Sequence, residues 1–367
     1  MKHLIEKISL WQLFTLIVNF ELGSAIVVGI APEAKQASWI ATLVAGAFGL
    51  VFVFFYHGLI HLSGKEDLFQ IMESLWGRAI LVFFGSLYVM YFFYLAARVL
   101  RDFCELIVTA ILPNTPIEVI SITFMLMIGY LIYLGLEVVS RTSEIFSPYL
   151  LIFLIIIALM LVLTGRMEWV NLLPLLPEGV QPVLSALFPS LITFPFGELV
   201  VFTVVFGHVN FFRQSRVAAV MGILITTILL TISEMIKLAA LGVDSKLRAN
   251  FPLLSAVREI SVANFIERID ALVVFIMMLG IIVKVSLYVF AGLKGLEAIT
   301  RLQYRSFVVP VCMLITFFSI ISAENYAEHI KEGLELVPLL LHIPFQIVVP
   351  GFVLLFLLWR KWKTARS

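Results

Sequence analysis

Most of this chain is taken up by apolar runs of about 20 residues, the length a helix needs to cross the hydrocarbon of a bilayer. About ten such runs can be marked, at 9–30, 38–62, 79–110, 116–137, 145–164, 182–206, 216–241, 265–291, 305–322 and 337–359. Lipid offers no water to backbone N–H and C=O groups, so each run must close its hydrogen bonds within itself, as a helix. The expected fold class is all-α and polytopic, a single transmembrane domain over 1–367. Composition agrees: 62% of residues are hydrophobic and 13% charged, where soluble domains are roughly half apolar and a quarter charged. Mean hydropathy is +1.08. The connections are too short for an appended catalytic domain, which argues against an enzyme. The first run is read as a span and not as a removed signal peptide: it is too long, it contains Glu21, and no small-x-small cleavage site follows.

Charge and cysteine usage narrow the reading. A net charge of +1 favours neither nucleic acid nor an acidic partner. Cys104 and Cys312 both fall in apolar runs, where two thiols make neither a disulfide framework nor a zinc motif; they read as small core residues. With the N-terminus cytoplasmic, 14 of the 25 lysines and arginines fall on the inner side and 9 on the outer, with Lys237 and Lys284 left inside helices. That bias, an even helix number and the Trp-Arg-Lys-Trp-Lys tail place both termini inside. Ser9 with Gln12 predicts a capping box opening the first helix, and Pro148 is placed in the first turn of the fifth. Residues 62–78 suggest a short cytoplasmic amphipathic helix. Residues 242–264, with Pro252 and Ser255, suggest a short lid-like helix outside. An ordinary interfacial connector is the alternative for each.

Two runs carry interruptions at positions that should lie near mid-membrane. The first is Phe20-Glu21-Leu22-Gly23-Ser24-Ala25. Gly23 lowers helix propensity, and Ser24 and Ala25 are small enough for a ligand to approach the backbone. Unwinding here would free the carbonyls of Phe20 and Glu21, and a new half-helix opening over Ser24 to Val27 would favour a carboxylate. An α-amino acid matches that pair of poles; a helix-packing contact between small residues is the alternative. The second is Phe194-Pro195-Phe196-Gly197-Glu198. Pro195 removes a backbone donor and Gly197 adds freedom, leaving Glu198 at the start of the following half-helix, where the dipole favours a carboxylate. Glu198 is assigned a ligand ammonium, a proton or a capping role. The first and sixth runs correspond by position if 9–164 and 182–359 are repeats of five helices each, and an odd number per half inverts the second.

Lys284 lies deep in the eighth run. It is expected to act as a fixed cation that replaces sodium, to pair with Glu21 or Glu198, or to snorkel to the interface. Glu234 and Lys237 are three apart on one helix face and read as a structural pair. Tyr88, Tyr91, Tyr94, Arg98 and Arg101 recur at helical spacing; Tyr91 falls near mid-depth and is a candidate ligand contact, packing being the alternative. No catalytic triad, phosphate-binding glycine loop or metal-spaced cluster is present, so neither cofactor nor metal is expected. Of six histidines, His342 alone lies inside an apolar run.

The opening Ile8-Ser9-Leu10-Trp11-Gln12, the Glu21-Leu22-Gly23-Ser24-Ala25 break and the Phe194-Pro195-Phe196-Gly197-Glu198 break together resemble the B subunit of spore nutrient-germinant receptors. This is the endospore germination permease family of the amino acid–polyamine–organocation superfamily. The resemblance covers nearly the whole chain and departs from the family's pattern at Glu21, where a neutral polar residue is expected. It implies ten helices in a five-plus-five inverted repeat with helices one and six broken, and a small-nutrient pocket among helices one, three, six, eight and ten. It also implies assembly with A and C subunits in the spore inner membrane, and a role in triggering germination. A proton-coupled amino acid transporter is the alternative function.

Overall fold

The computed structural model describes residues 6–260, 269–323 and 325–364. Nearly all of them are helical. Among them the one extended pairing is a bridge between Ile8 and Val209. In chain order the helices are α1 (Leu10–Leu22), α2 (Ser38–Leu62), α3 (Leu68–Trp76), α4 (Arg78–Ala110), α5 (Ile117–Leu134) and α6 (Leu136–Leu163). There follow α7, an interrupted span over Gln181–His208, α8 (Phe212–Arg248), α9 (Pro252–Arg258), α10 (Asp270–Thr300) and α11 (Val308–Ile321). A last helix, α12, runs over 326–364 with widened turns in its outer half. Among the described residues nine helices are long and apolar enough to span a membrane, and Leu10–Leu22 is a shorter apolar one.

Several boundaries depart from expectation, each for a local reason. The first helix stops at Leu22, not at 30. The fifth span starts at Leu136 instead of 145, so Pro148 sits inside α6 and not in its first turn. Polar residues had masked that start: Glu137 pairs with Arg141 one turn on, at 2.7 Å, and such pairs support an exposed first turn. Near the proline, Asn19 of α1 donates to the Ser143 carbonyl and to the hydroxyls of Ser143 and Ser147, at 2.8–2.9 Å. α8 runs on to Arg248 through a kink at Gly242, whose φ of 70° suits glycine. The last helix begins at Tyr326, well before 337. The eighth run was expected to begin at 265, which lies outside the described residues; its far end is Thr300, nine residues beyond 291.

Other expectations hold. Ser9 and Gln12 form the capping box. Residues 68–76 form the expected short amphipathic helix, capped by Asp67 and Gln70, with Leu68, Phe69, Ile71 and Met72 buried. Pro252–Arg258 forms the expected short helix, and Pro252 packs on Gly29 just beyond the first break; the end of that connection, 261–264, lies outside the described residues.

Burial shows where a site must lie. In α7 and α10, 83% of the most apolar window is buried, against 22% in α6 and in the membrane part of α12. The interior is therefore α1, α7 and α10, with α2, α4 and α8 around them, and lipid-facing helices outside.

Candidate functional site

The first interruption is a glycine contact. α10 crosses α1 so closely that a Cβ on Gly280 would lie 2.8 Å from the Gly23 Cα. Gly23 takes a non-helical conformation and its N–H still bonds the Asn19 carbonyl, at 3.0 Å. Beyond it there is no new half-helix. Ile26 bonds back to Leu22, and Val27 and Val28 both bond to Ser24, a compact turn that ends at Ala31 with φ 54°. The β-branched run and the following Pro32 disfavour further helix. The expected dipole for a carboxylate at Ser24 to Val27 is therefore missing, although the Ser24 hydroxyl is buried without a hydrogen-bond partner among the described residues.

The second interruption does restart. Glu198 lies in the first turn of a tight helix over Phe196–Val201, its N–H bonded to the Pro195 carbonyl at 3.1 Å. Gly197 is required by crowding: a Cβ there would stand 2.1 Å from the Gln346 Oε1 of α12. The Tyr56 hydroxyl donates to the carbonyls of Gly197 and Gln346, at 3.1 and 2.8 Å, while Tyr88 donates to the Phe345 carbonyl at 2.7 Å. The widened turns around Pro344 leave α12 carbonyls for these tyrosines.

Lys284 joins the two interruptions. It is 0% exposed, which excludes snorkelling, and α10 extends far enough past it to place it at mid-helix. Its Nζ lies 2.5 Å from Glu198 Oε2 and 5.0 and 4.9 Å from the ring centres of Phe20 and Phe194. Its methylene stem passes Gly23, where an added Cβ would come within 2.8 Å of Cδ. Of the two carboxylates offered to it by the sequence, the structure pairs it with Glu198. Glu21 is also 0% exposed, and neither of its oxygens has a hydrogen-bond partner among the described residues.

A cavity of about 60 Å³ lies beside this pair, lined by residues that include Ser24, Phe194, Glu198, Arg98, Asp102 and His342. At about 10–15 Å³ per water-sized group, it holds roughly four to six such groups. Of the residues singled out from sequence, Ser24, Phe194 and Glu198 reach it, with Lys284 directly behind. Tyr91 stands one contact back, bonded to His342 Nδ1 at 2.8 Å and to the Gln346 amide at 2.9 Å. Leu22, Gly23, Ala25, Pro195 and Gly197 shape the interruptions without lining it, and Phe196 turns away to pack on Gly49 of α2.

The outer wall was missed. Arg98 is 8% exposed; it pairs with Glu332 at 3.1 Å and bonds the His329 carbonyl. Asp102 accepts from Tyr326 at 3.3 Å and pairs with His329 at 3.1 Å. Arg98 stands on the Tyr91–Tyr94 face of α4, and His342 and Gln346 are four apart in an apolar run, so a signal was present in both. The cavity is thus lined by two carboxylates, Glu198 and Asp102, and by one guanidinium, Arg98. Among the described residues no group of three or more His, Cys, Asp or Glu could hold a metal ion.

Glu234 pairs with Lys237 as expected, and also with Lys246 at 2.5 Å across the Gly242 kink. Lys246 bonds the Ser38 hydroxyl at 2.6 Å, and Lys237 lies 3.4 Å from the Ile26 carbonyl.

Residues 7–327 match the family described as spore germination protein. The chain belongs to that family. It is 32% identical to spore germination protein KB of Bacillus subtilis (strain 168), over 98% of this chain and 97% of that one. It is 24% identical to spore germination protein A2 of the same organism, over 91% and 94%. The fold resembles solved transporters. A sodium-coupled sialic acid symporter in a substrate-bound outward-open state aligns with TM-score 0.68 and 11% identity, over 96% of this chain and 79% of that one. A nucleobase-cation-symport-1 family transporter, closed around bromovinylhydantoin, aligns with TM-score 0.65 and 11% identity, over 88% and 74%. MhsT in complex with L-phenylalanine aligns with TM-score 0.57 and 13% identity, over 95% and 97%.

Proposed function

We propose that this chain is the nutrient-sensing subunit of a spore germination receptor, and that it binds a small zwitterion, an amino acid, in the cavity between its two interrupted helices. The observation that carries this reading is that groups of opposite charge line one small cavity: Glu198 for an ammonium and Arg98 for a carboxylate. This reverses the polarity expected from the first interruption, because the turn after Gly23 forms no half-helix. In this reading residues 9–164 and 182–359 are inverted repeats, the partners are the A and C subunits, and the site of action is the spore inner membrane. The relatives' germination names and the transporter-like fold support it.

Glu198→Gln keeps the shape and removes the charge. It is expected to shift the nutrient dose for germination upward at least about tenfold, roughly 1.4 kcal/mol, with subunit levels unchanged on immunoblots. An unchanged dose curve would place the ligand elsewhere. The likeness to solved transporters favours one second reading, a proton-coupled amino acid transporter; concentrative amino acid flux in proteoliposomes would establish it over the sensor.

A further inference from the structure

Two carboxyl groups and one ammonium are enclosed together where α1, α7 and α10 meet. Lys284 is ion-paired with Glu198, its Nζ 2.5 Å from Oε2. Glu21 has no hydrogen-bond partner for either oxygen among the described residues. The charged side chains of Lys284 on α10 and Glu198 on α7 are buried in the same interior as Glu21. Tyr56 on α2 and Tyr288 on α10 are fully buried there too. A carboxylate so enclosed, without a hydrogen-bond partner, is far costlier than the neutral acid. Glu21 therefore holds its proton while Lys284 serves Glu198. The lysine is not tied to one partner, however. Its stem lies against Gly23, two residues from Glu21, and its Nζ is flanked by the Phe20 and Phe194 rings, which cradle a cation without holding it to one oxygen.

We propose that a ligand ammonium arriving at Glu198 sends Lys284 to Glu21 and expels the Glu21 proton, so that ligand binds with release of one proton. This rests on the reading that an ammonium-bearing ligand occupies the cavity. The balance is simple. The Glu21 O–H bond breaks, the proton leaves for the medium, and Lys284, the ligand ammonium and the Glu198 carboxylate keep their charges. Before and after, each carboxylate faces one ammonium. The exchange ties the cavity to the α1–α10 crossing, where Gly23 and Gly280 leave no slack, and so gives ligand binding a mechanical consequence.

The test uses the purified full chain in detergent, with L-alanine as probe and propionate, which lacks the ammonium, as control. Without ligand, the infrared spectrum should show the carbonyl band of a buried protonated carboxyl, absent in Glu21→Gln. The band should also vanish in Glu198→Gln, where Lys284 has only Glu21 to serve. In wild type, L-alanine affinity should rise about tenfold per pH unit while the band persists, the slope that release of one proton dictates. In Glu21→Gln the slope should be flat, and propionate should release no proton from either protein. The proposal is overturned if the band survives in Glu21→Gln, if it survives in a folded Glu198→Gln, or if L-alanine binds wild type with no pH slope. The wild-type slope requires no variant to fold. Loss of the band in both variants without any L-alanine binding would support the lysine exchange and count against the amino acid reading.

Discussion

At the scale of single residues, the site depends on atoms with no room to move. Gly197 meets the Gln346 Oε1 at 2.1 Å and the Ile192 carbonyl at 3.0 Å from a built Cβ. Gly197→Ala must displace the Gln346 side chain, and with it the amide bonds to Tyr91 and His342, at about 1–3 kcal/mol for overpacking. Gly58→Ala, where nothing lies within 4 Å, should leave thermal unfolding in detergent unchanged; equal losses would show that Gly197 is not tightly packed. Lys284 makes a sharper case. Lys284→Ala strands the Glu198 carboxylate and should cost about 3–5 kcal/mol, whereas Lys284→Met with Glu198→Gln removes both charges and should recover most of it. Melting curves of the two variants check this. If the double variant melts no higher than the single, the pair is not the source of the loss.

At the scale of elements, the α8 kink at Gly242 folds Lys246 back onto Glu234, so that one carboxylate serves two buried ammonium groups. Lys237 reaches from there to the turn after the first interruption, and Lys246 to the start of α2. Removing the shared partner should therefore be worse than removing either lysine. Glu234→Gln is expected to cost about 3–5 kcal/mol, and Lys246→Ala distinctly less, because it leaves the Glu234–Lys237 pair intact. Thermal unfolding of the purified variants ranks them, and the reverse order would show that the cluster is not held through Glu234. Sequence spacing exposed the Glu234–Lys237 half of this cluster. Lys246 was assigned to an outer loop, because nothing local announces that a kinked helix returns its end to its own earlier turn.

At the scale of the whole molecule, one end of the helix bundle is gathered on one carboxylate. Glu6 accepts from the Leu136 N–H at 2.9 Å, from Tyr304 at 2.7 Å and from Arg305 at 2.7 Å. The adjoining strand-like segment bonds Ile8 N–H to the His208 carbonyl and Asn210 N–H to the Ile8 carbonyl, both at 3.0 Å. The chain entering α1 is thus tied to the chain leaving α7, the two interrupted elements of the candidate site. Glu6→Ala should loosen this seam before it unfolds anything, so the amides of Ile8 and Asn210 should exchange with deuterium faster while the centre of α10 keeps its protection. Unchanged exchange at those two amides would mean that the bridge stands without Glu6.

The sequence by itself determined what depends on local chemistry. Hydrocarbon length dictates the spans, and glycine or proline beside a carboxylate in mid-span marks where a helix can break, so the helical class and both breaks were legible at Gly23 and at Pro195 and Gly197, although Pro148 stays inside an unbroken α6. Helix ends were less so, because a polar first turn such as 136–144 stays helical outside the apolar core, and a β-branched stretch before Pro32 does not. Only the tertiary structure decided which groups meet. Lys284 had two carboxylates within reach on paper, and Arg98, His342 and Gln346 were visible as polar residues in apolar helices with no assigned neighbour. Their partners lie on other helices, some more than 200 residues away, and the crossing of α1, α4, α7, α10 and α12 is set by packing along their whole lengths, which no single stretch encodes.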